Sequence, residues 1–571
     1  MTTPLKRCDL VMKGGITSGV VYPRAVIELS KEYRFENIGG TSAGAIAAVV
    51  TAAAEYGRDS GGFEKVGKLP DELSQTLLQK FQPLPHLRPL FVLLLAALSK
   101  RWTTVLTALL TGYRKSAALG ALPGLVILLL ALSSQSSGYC VLGLLLVVAG
   151  GLAAPVYSAI RQVTSALPEA DFGLCSGLTQ PGTDGPALTD WLAETIDRVA
   201  GLGPGDPPLG IADLRLRDIR VNTVTTDIST HRPYALPMGN RLHFFSEREF
   251  RRLFPKRIVD AMVTASKRVE TEDKSRDLHY FNVENMPLVV MARMSLSFPG
   301  LISAVPLWRY DYTLVNVSGD EQLVRCLFSD GGLSSNFPVH FFDRFLPHTP
   351  TFGISLGEHN PLRAKTGDDR IVLPLKAIQG QLLPTRGIKG IFGFVMALFG
   401  SAKDWQDSLQ SILPGYRERI VTVNLTEDEG GLNLAMPAER IRDLTRYGAL
   451  AGQEIVGKFE LDEHRWRRYL VEIRAIDDML RDFAEAYYAE PQPGSMAYAD
   501  LAVDYEPQSF GQLTRKEREA IKDKAERIAE LGRELAGLVP LKDMDKRLPR
   551  SRSRLRSIAR MDDTVDSMSD D

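Results

Sequence analysis

An uncharged run of 45 residues, Ser116–Ile160, constrains this chain more than any other feature of its sequence. A polar segment at 133–137 divides the run into two apolar halves. As a helix, the second half, Gly138–Ile160, would be about 34 Å long, enough to cross a bilayer core of about 30 Å. The first half, Ser116–Leu132, would reach about 25 Å. The run therefore predicts an apolar helical hairpin of membrane-spanning size.

Basic residues flank this hairpin on both sides. Arg114 and Lys115 precede it, Arg161 follows it, and its central loop carries none. The positive-inside rule then places both ends on the cytoplasmic face of a membrane. The alternative is a buried hairpin in a large soluble protein, although soluble cores rarely use so long an uncharged run. A shorter apolar stretch, Leu90–Leu98, followed by Trp102, is typical of an interfacial segment.

Composition excludes several classes of protein. The 571 residues carry 68 basic and 69 acidic side chains, a net charge of −1, so no global field attracts nucleic acid. Four widely spaced cysteines, with no C-x-x-C pair, exclude a disulfide framework and a zinc ribbon and suit a reducing compartment. The polar start, Met1–Asp9, predicts no secretory signal peptide. With no cluster of metal ligands in the sequence, we expect neither a metal nor a cofactor.

Strand and helix patterns alternate along the chain, which predicts a mainly parallel sheet with helices on both faces. The expected strands are 10–12, Phe35–Ile38, Ile219–Thr226, Leu323–Phe328 and Thr351–Leu356, and the expected helices are Val20–Tyr33, Ala43–Ala54 and Leu188–Ala200. Leu288–Phe298 is predicted to join a strand-like start to a helical end. Residues 57–89 are broken by Gly and Pro and are expected to be irregular.

These patterns divide the chain into four parts. An α/β domain covers 1–83 and 166–365, with the apolar region 84–165 inserted, a mostly helical region at 366–540 and a charged, disordered tail at 541–571. Within the helical region, Ala438–Phe483 is amphipathic and Thr514–Val539 is highly charged, so this region is a candidate for oligomerisation or regulation. Its apolar segment Ile388–Gly400 is too short to span a bilayer and is expected to be buried.

A G-x-S-x-G pattern places Ser42 between Gly40 and Gly44. A nucleophile elbow needs a strand before the serine, small neighbours around it and a helix after it, and Ser42 has all three. A second match, Gly353–Gly357 around Ser355, ends a strand but is followed by no helix pattern, which indicates a structural serine.

The nucleophile needs a base, and the best candidate is Asp330. This residue ends a predicted strand and precedes two glycines, so its carboxylate could take the Ser42 proton from a tight turn. On its own, Asp-Gly-Gly is more simply an ordinary turn. The histidines at positions 86, 340 and 348 are interpreted as packing residues.

Gly14, Gly15 and Gly19 form a glycine-rich turn after the first strand. Glycines let backbone N–H groups approach a substrate closely, so this turn is a candidate oxyanion hole. A phosphate-binding loop is the rival interpretation, but the Lys-Ser/Thr pair of that motif is absent.

Together these motifs resemble the patatin-like phospholipases, a family with a glycine-rich loop, a G-x-S-x-G elbow and a distant Asp-Gly-Gly turn. The resemblance extends to 173–174 with 188–192, to Ala292–Pro299 and to Asp330–Pro338, and covers roughly residues 8–360. It departs from the family loop G-G-G-x-[RK]-G at Ile16 and Ser18, and Lys13 could supply charge instead.

The resemblance implies a three-layer α/β/α fold and acyl transfer by a Ser42–Asp330 dyad without histidine. The expected partner is a phospholipid bilayer, the expected reaction is hydrolysis of an acyl ester, and no cofactor is implied. The alternative is a membrane-bound scaffold or effector on the same fold with little or no hydrolysis, which the altered glycine loop favours.

Overall fold

The structure is a computed structural model of the 571-residue chain. It describes residues 5–15, 17–99, 101–134, 137–239, 242–360, 362, 369–375, 413–426, 428–431, 433–506 and 513–541, with scattered positions between 385 and 401. Ile16, most of Ile388–Gly400 and the tail beyond Leu541 lie outside the described residues, and so do the predictions made for them.

Strands and helices alternate through the first two thirds of the chain. The strands are β1 Lys6–Met12, β2 Tyr33–Thr41, β3 Gly173–Cys175, β4 Arg220–Asp227, β5 Arg232–Leu236, β6 His243–Ser246, β7 Leu278–Tyr280, β8 Gly300–Ile302, β9 Val305–Tyr310, β10 Leu323–Asp330, β11 Thr351–Glu358, β12 Ile371–Val372 and β13 Ile420–Leu425. The helices up to residue 300 are α1 Tyr22–Ser30, α2 Ala43–Tyr56, α3 Gly62–Thr76, α4 Arg88–Leu98, α5 Trp102–Gly112, α6 Arg114–Ser134, α7 Ser137–Arg161, α8 Leu167–Glu169, α9 Leu188–Ala200, α10 Ile211–Arg215, α11 Glu247–Phe250, α12 Lys256–Ala265 and α13 Leu288–Ser295. Four more follow: α14 Ala438–Lys458, α15 Leu461–Tyr488, α16 Tyr498–Asp504 and α17 Arg515–Ala536.

One large mixed sheet organises these elements, in the order β12-β13-β11-β1-β2-β4-β10-β9-β6-β7, with β5 paired to β4. The pairs from β13 to β4 are parallel, as the sequence predicts. From β4 to β7 the pairs are antiparallel. Since β12 and β13 come after residue 365, the sheet draws on the region that the sequence predicts to be mostly helical.

Alternate residues of β1 enter two apolar cores on opposite faces of the sheet. Leu10 and Met12 belong to the large core, which also holds α1, α2 and α9. Val11 belongs to a smaller core with Phe337 and Ile420. The central strand is therefore covered on both faces, as a parallel sheet requires.

Several element boundaries differ from the sequence prediction. The helix expected at Val20–Tyr33 ends at Ser30, because Tyr33 already pairs with Lys6 in the sheet. Leu288 begins a helix rather than a strand, and Pro287 immediately before it has the fixed φ suited to a helix start. The Gly- and Pro-broken stretch contains α3, which accommodates Pro70. α9 has the predicted bounds.

The inserted hairpin consists of α6 and α7, packed closely through glycines. A Cβ added to Gly120 would collide with the carbonyl oxygen of Gly150, and one added to Gly143 would lie 2.7 Å from Leu128 Cγ. At the base of the hairpin, Ser158 Oγ donates to Ser116 Oγ over 2.8 Å.

The outer surface of this hairpin is apolar. In the most apolar 18-residue windows of the helical segments 114–131 and 137–169, 11% of the residues are buried. Within the described residues these two segments are long and apolar enough to cross a membrane, by length and composition alone. The alternative expectation of a hairpin buried in a soluble core does not fit so exposed a surface.

Candidate active site

Strand register brings the predicted nucleophile and base to the same level of the sheet. Thr41, the last residue of β2, is paired with Val224 of β4. On the other side of β4, Asp330 at the end of β10 is paired with the next residue, Thr225. Ser42 and Asp330 are 288 positions apart in sequence, yet one intervening strand separates the ends of their strands.

Ser42 occupies a sharp turn between β2 and α2. Its backbone has φ 56° and ψ −126°, a region that non-glycine residues rarely adopt. The flanking glycines make the turn possible. A Cβ on Gly40 would collide with the carbonyl oxygen of Gly44, and one on Gly44 would collide with that of Met12. This is the strand–turn–helix geometry of a nucleophile elbow.

The Ser42 hydroxyl donates a hydrogen bond to Asp330 Oδ2 over 2.7 Å, and both residues are 4% exposed. The other carboxylate oxygen, Oδ1, accepts from the Gly332 N–H over 2.7 Å. The Asp-Gly-Gly turn is therefore a short 3-10 helix capped by the Asp330 side chain. Held at both oxygens, the carboxylate has one orientation toward the Ser42 hydroxyl.

The glycine-rich turn lies beside Ser42. A Cβ on Gly14 would be 3.2 Å from Ser42 Cβ, and one on Gly19 would be 3.0 Å from Ala43 Cβ. The Gly14 N–H donates to the Asn336 carbonyl over 2.8 Å, so in this arrangement it is not directed at a substrate. The N–H of Gly15, another of the predicted oxyanion donors, makes no backbone hydrogen bond to the described residues.

A protein-family model, a bacterial protein and a solved structure are similar to this chain. The family model described as patatin-like phospholipase matches residues 10–343, more than half of the chain. The chain belongs to the patatin-like phospholipase family. A protein of Rhizobium meliloti (strain 1021) named RpoH suppressor is 35% identical over 639 aligned positions, which cover 96% of this chain and 98% of that protein. The crystal structure of VipD from Legionella pneumophila is similar over 94% of this chain and 86% of that one, with 13% identity and a TM-score of 0.31.

In this patatin-like chain, contacts from distant segments hold the glycine-rich turn. The buried Tyr22 hydroxyl donates to the Lys13 carbonyl, and the Lys13 ammonium donates to the Leu356 carbonyl over 3.4 Å. Thr17 Oγ1 donates to the Gly431 carbonyl over 3.1 Å. The region after residue 365 therefore contacts the turn directly, which its sequence does not predict.

The patatin-like motif at Ala292–Pro299 supplies contacts whose roles the sequence leaves unassigned. The Ser42 N–H donates to Ser295 Oγ over 3.0 Å. The Asp330 N–H donates to the Ser297 carbonyl over 3.0 Å. The resemblance of this motif to the family pattern was the available signal, but it does not reveal that these serines contact both Ser42 and Asp330.

A buried guanidinium lies in the same motif. Arg293 is 1% exposed, and burial lowers its pKa to about 9. It donates to Ser297 Oγ over 2.6 Å, to the Ser303 carbonyl over 2.8 Å and to the Ser176 carbonyl over 3.0 Å. These neutral acceptors bond the two terminal nitrogens of the guanidinium, while its buried Nε has no hydrogen-bond partner among the described residues. The three bonds offset part of the cost of burying the charge.

Two other sequence interpretations concern groups outside the site. Ser355 lies within β11, paired with Thr422 of β13, and no turn follows it directly. The carboxylates, thiols and imidazoles of the described residues form no group of three or more that could hold a metal ion.

Proposed function

We propose that this protein is a membrane-associated serine hydrolase that cleaves acyl esters of phospholipids with a Ser42–Asp330 dyad. The observation that carries the proposal is the 2.7 Å hydrogen bond from the Ser42 hydroxyl to the Asp330 carboxylate, inside a buried elbow. Family membership supports a lipid acyl hydrolase in general.

The proposed reaction is acyl transfer in two steps. Asp330 accepts the hydroxyl proton while Ser42 Oγ attacks the ester carbonyl carbon. The tetrahedral intermediate collapses, the ester C–O bond breaks, and Asp330 returns the proton to the departing alcohol. In the second step, Asp330 deprotonates a water that attacks the acyl-enzyme. The fatty acid leaves and the proton returns to Ser42.

The oxyanion of each intermediate needs backbone donors beside Ser42. We assign this role to the N–H of Gly15 and to the N–H of Ala43, the first residue of α2. The residue after an elbow serine supplies such a donor in other hydrolases. The α2 N-terminus adds a favourable dipole. Gly14 and Gly19 act by leaving space next to the nucleophile.

The apolar hairpin supports the membrane part of the proposal. α6 and α7 present exposed leucines and valines, such as Leu129 at 66% and Leu145 at 61%, along lengths suited to a bilayer. The apolar helices α4 and α5 follow the short helix Pro85–Leu87. Leu90 and Phe91 of α4 pack into the large core, whereas most residues of α5 are exposed. Before these helices, the Leu84 N–H donates to the carbonyl of Leu174 in β3. We propose that α6 and α7 hold the catalytic domain at the cytoplasmic face of the membrane.

The test is release of fatty acid from mixed phospholipid liposomes. Wild type should release fatty acid, and Ser42→Ala and Asp330→Ala should each lower kcat by about a thousandfold or more. Ser355→Ala, in the second G-x-S-x-G match, is the matched control and should retain wild-type activity. Loss of activity in the control alone, or retention in either dyad variant, would contradict the proposal.

Two observations favour the second candidate, a weakly active scaffold or effector. The Gly14 N–H is bonded to the Asn336 carbonyl, and Ser18 stands where the family loop has a basic residue. A fluorophosphonate probe distinguishes the two candidates, because a reactive Ser42 is labelled and an inert one is not.

A further inference from the structure

Both members of the dyad are held by one short segment. α13 ends at Ser295, and the chain continues through Ser297 before β8. The side chain of Ser295 contacts the backbone of Ser42, and the backbone of Ser297 contacts the backbone of Asp330. Ser295 and Ser297 are fully buried.

We infer that Ser295 and Ser297 form a positioning frame that sets the distance between Ser42 and Asp330, and that Arg293 anchors this frame. The inference rests on the proposed dyad. It assigns to the three residues a role in geometry rather than contact with substrate, so all three are positioning residues.

Ser295 acts on the strained half of the dyad. The backbone angles of Ser42 are strained for a residue with a side chain, and surrounding contacts must maintain them. The Ser295 hydroxyl accepts the buried Ser42 N–H and so favours this one conformation of the turn. Without that acceptor the N–H would be buried and unpaired, and the turn would relax to pair it elsewhere.

Ser297 acts on the other half. Its carbonyl accepts two hydrogen bonds, from the Asp330 N–H over 3.0 Å and from Ser329 Oγ over 2.8 Å. These bonds fix the end of β10, where the Asp330 side chain leaves the sheet. The same segment is tied to the intervening strand, because Thr225 Oγ1 of β4 donates to the Met294 carbonyl over 3.3 Å.

Arg293 connects the positioning frame to the segments that follow β3 and β8. Its guanidinium bonds Ser297 Oγ on the frame, Ser303 after β8 and Ser176 after β3. Lysine cannot reproduce this planar arrangement of donors, so Arg293→Lys should loosen the frame while keeping the charge.

The experiment measures kcat, KM and the rate of fluorophosphonate labelling of Ser42 in the full-length protein, normalised to the folded fraction. We expect kcat and the labelling rate to fall about 10- to 100-fold in Ser295→Ala, with KM nearly unchanged, since small displacements of reacting groups have effects of this size. Both kcat and the labelling rate should fall less in Arg293→Lys. They should fall least in Ser297→Ala, because this variant keeps the carbonyl that holds Asp330.

Thr51→Ala is the matched control. It removes another buried hydroxyl, bonded to the Ala47 carbonyl within α2, and touches neither dyad residue. If Ser295→Ala does not fold, the other two variants carry the test. Folded variants with lowered melting temperature but wild-type kcat and labelling would overturn the frame. A wild type that neither hydrolyses nor labels would overturn the proposed function, and the frame with it.

Discussion

The sheet domain and the α6–α7 hairpin use the same residue types in opposite places. In the sheet domain, leucines, valines and phenylalanines such as Leu10, Val21 and Phe328 form the buried core. In the hairpin, glycines form the contact between the helices, and leucines and valines such as Leu129 and Leu145 are exposed. An apolar exterior with small residues between helices is the arrangement that suits a lipid environment.

Glycine shows the contrast most clearly. Around Ser42, Gly40 and Gly44 permit a backbone turn that other residues would obstruct. In the hairpin, Gly120 and Gly150 permit two helices to approach. Glycine therefore permits a sharp turn in one region and close helix packing in the other, so we expect that a substitution in one region will not disrupt the other.

The largest expected effect comes from replacing residues 114–161 by a short Gly-Ser linker. The hydrogen bond between Ser116 and Ser158 shows that the two ends are close, so the linker need not strain the domain. We expect the protein to move from the carbonate-resistant membrane fraction to the soluble fraction. Labelling of Ser42 by a fluorophosphonate should remain near that of wild type. Retention of the shortened protein in the membrane fraction would contradict the assignment of the anchor.

The next prediction compares truncation of a buried side chain in the sheet domain with truncation of an exposed side chain in the hairpin. Phe328 is fully buried next to Tyr234, two residues before Asp330. The substitution Phe328→Ala should lower the free energy of unfolding by about 3–5 kcal/mol. Leu129→Ala removes an exposed side chain of α6 and should change the unfolding of the sheet domain by less than about 0.5 kcal/mol. Denaturant unfolding in detergent micelles, monitored by tryptophan fluorescence, measures both. Similar losses in the two variants would show that the hairpin is part of the domain core.

A charged substitution in the hairpin tests whether its outer surface faces lipid or water. Val148, near the middle of α7, is 53% exposed. In a bilayer, Val148→Lys should oppose insertion by about 2.5–3.5 kcal/mol, because a charge at the centre of a spanning helix is poorly solvated. Val315→Lys, at an 84% exposed position between β9 and β10, should have no effect on membrane association. If Val148→Lys leaves membrane association unchanged, the hairpin surface faces water.

The sequence predicts the parts of the site that local patterns determine. Ser42 is recognisable because its turn needs small neighbours and a helix after it, and Asp330 because its strand end and glycines are local. The pairing of the two depends on register across β4, which no local pattern contains. The same holds for the Thr17–Gly431 contact and for β13, whose six residues join the sheet from a region dominated by helices.

The smallest expected effect is a difference between the sheet domain and the hairpin in their stability at acidic pH. His243 in β6 is buried between Tyr234 and Phe328, and burial, followed by the nearby Arg309, lowers its pKa to about 3. In the unfolded chain a histidine has a pKa of about 6.5. Below that pH the unfolded state binds a proton that the folded state does not, so stability falls as pH drops from about 6.5 toward 3.

We expect this histidine to cost the sheet domain about 1–2 kcal/mol between pH 7 and pH 5. His243→Phe should reduce that loss, whereas His86→Phe, at an exposed position, should not. The hairpin run Ser116–Ile160 has no carboxylate, imidazole or basic side chain to titrate, so its helices should persist in detergent as the sheet domain unfolds. Circular dichroism at falling pH would then show helix remaining after near-ultraviolet signal is lost. A pH profile unchanged by His243→Phe would mean that other groups dominate the acid sensitivity of the sheet domain.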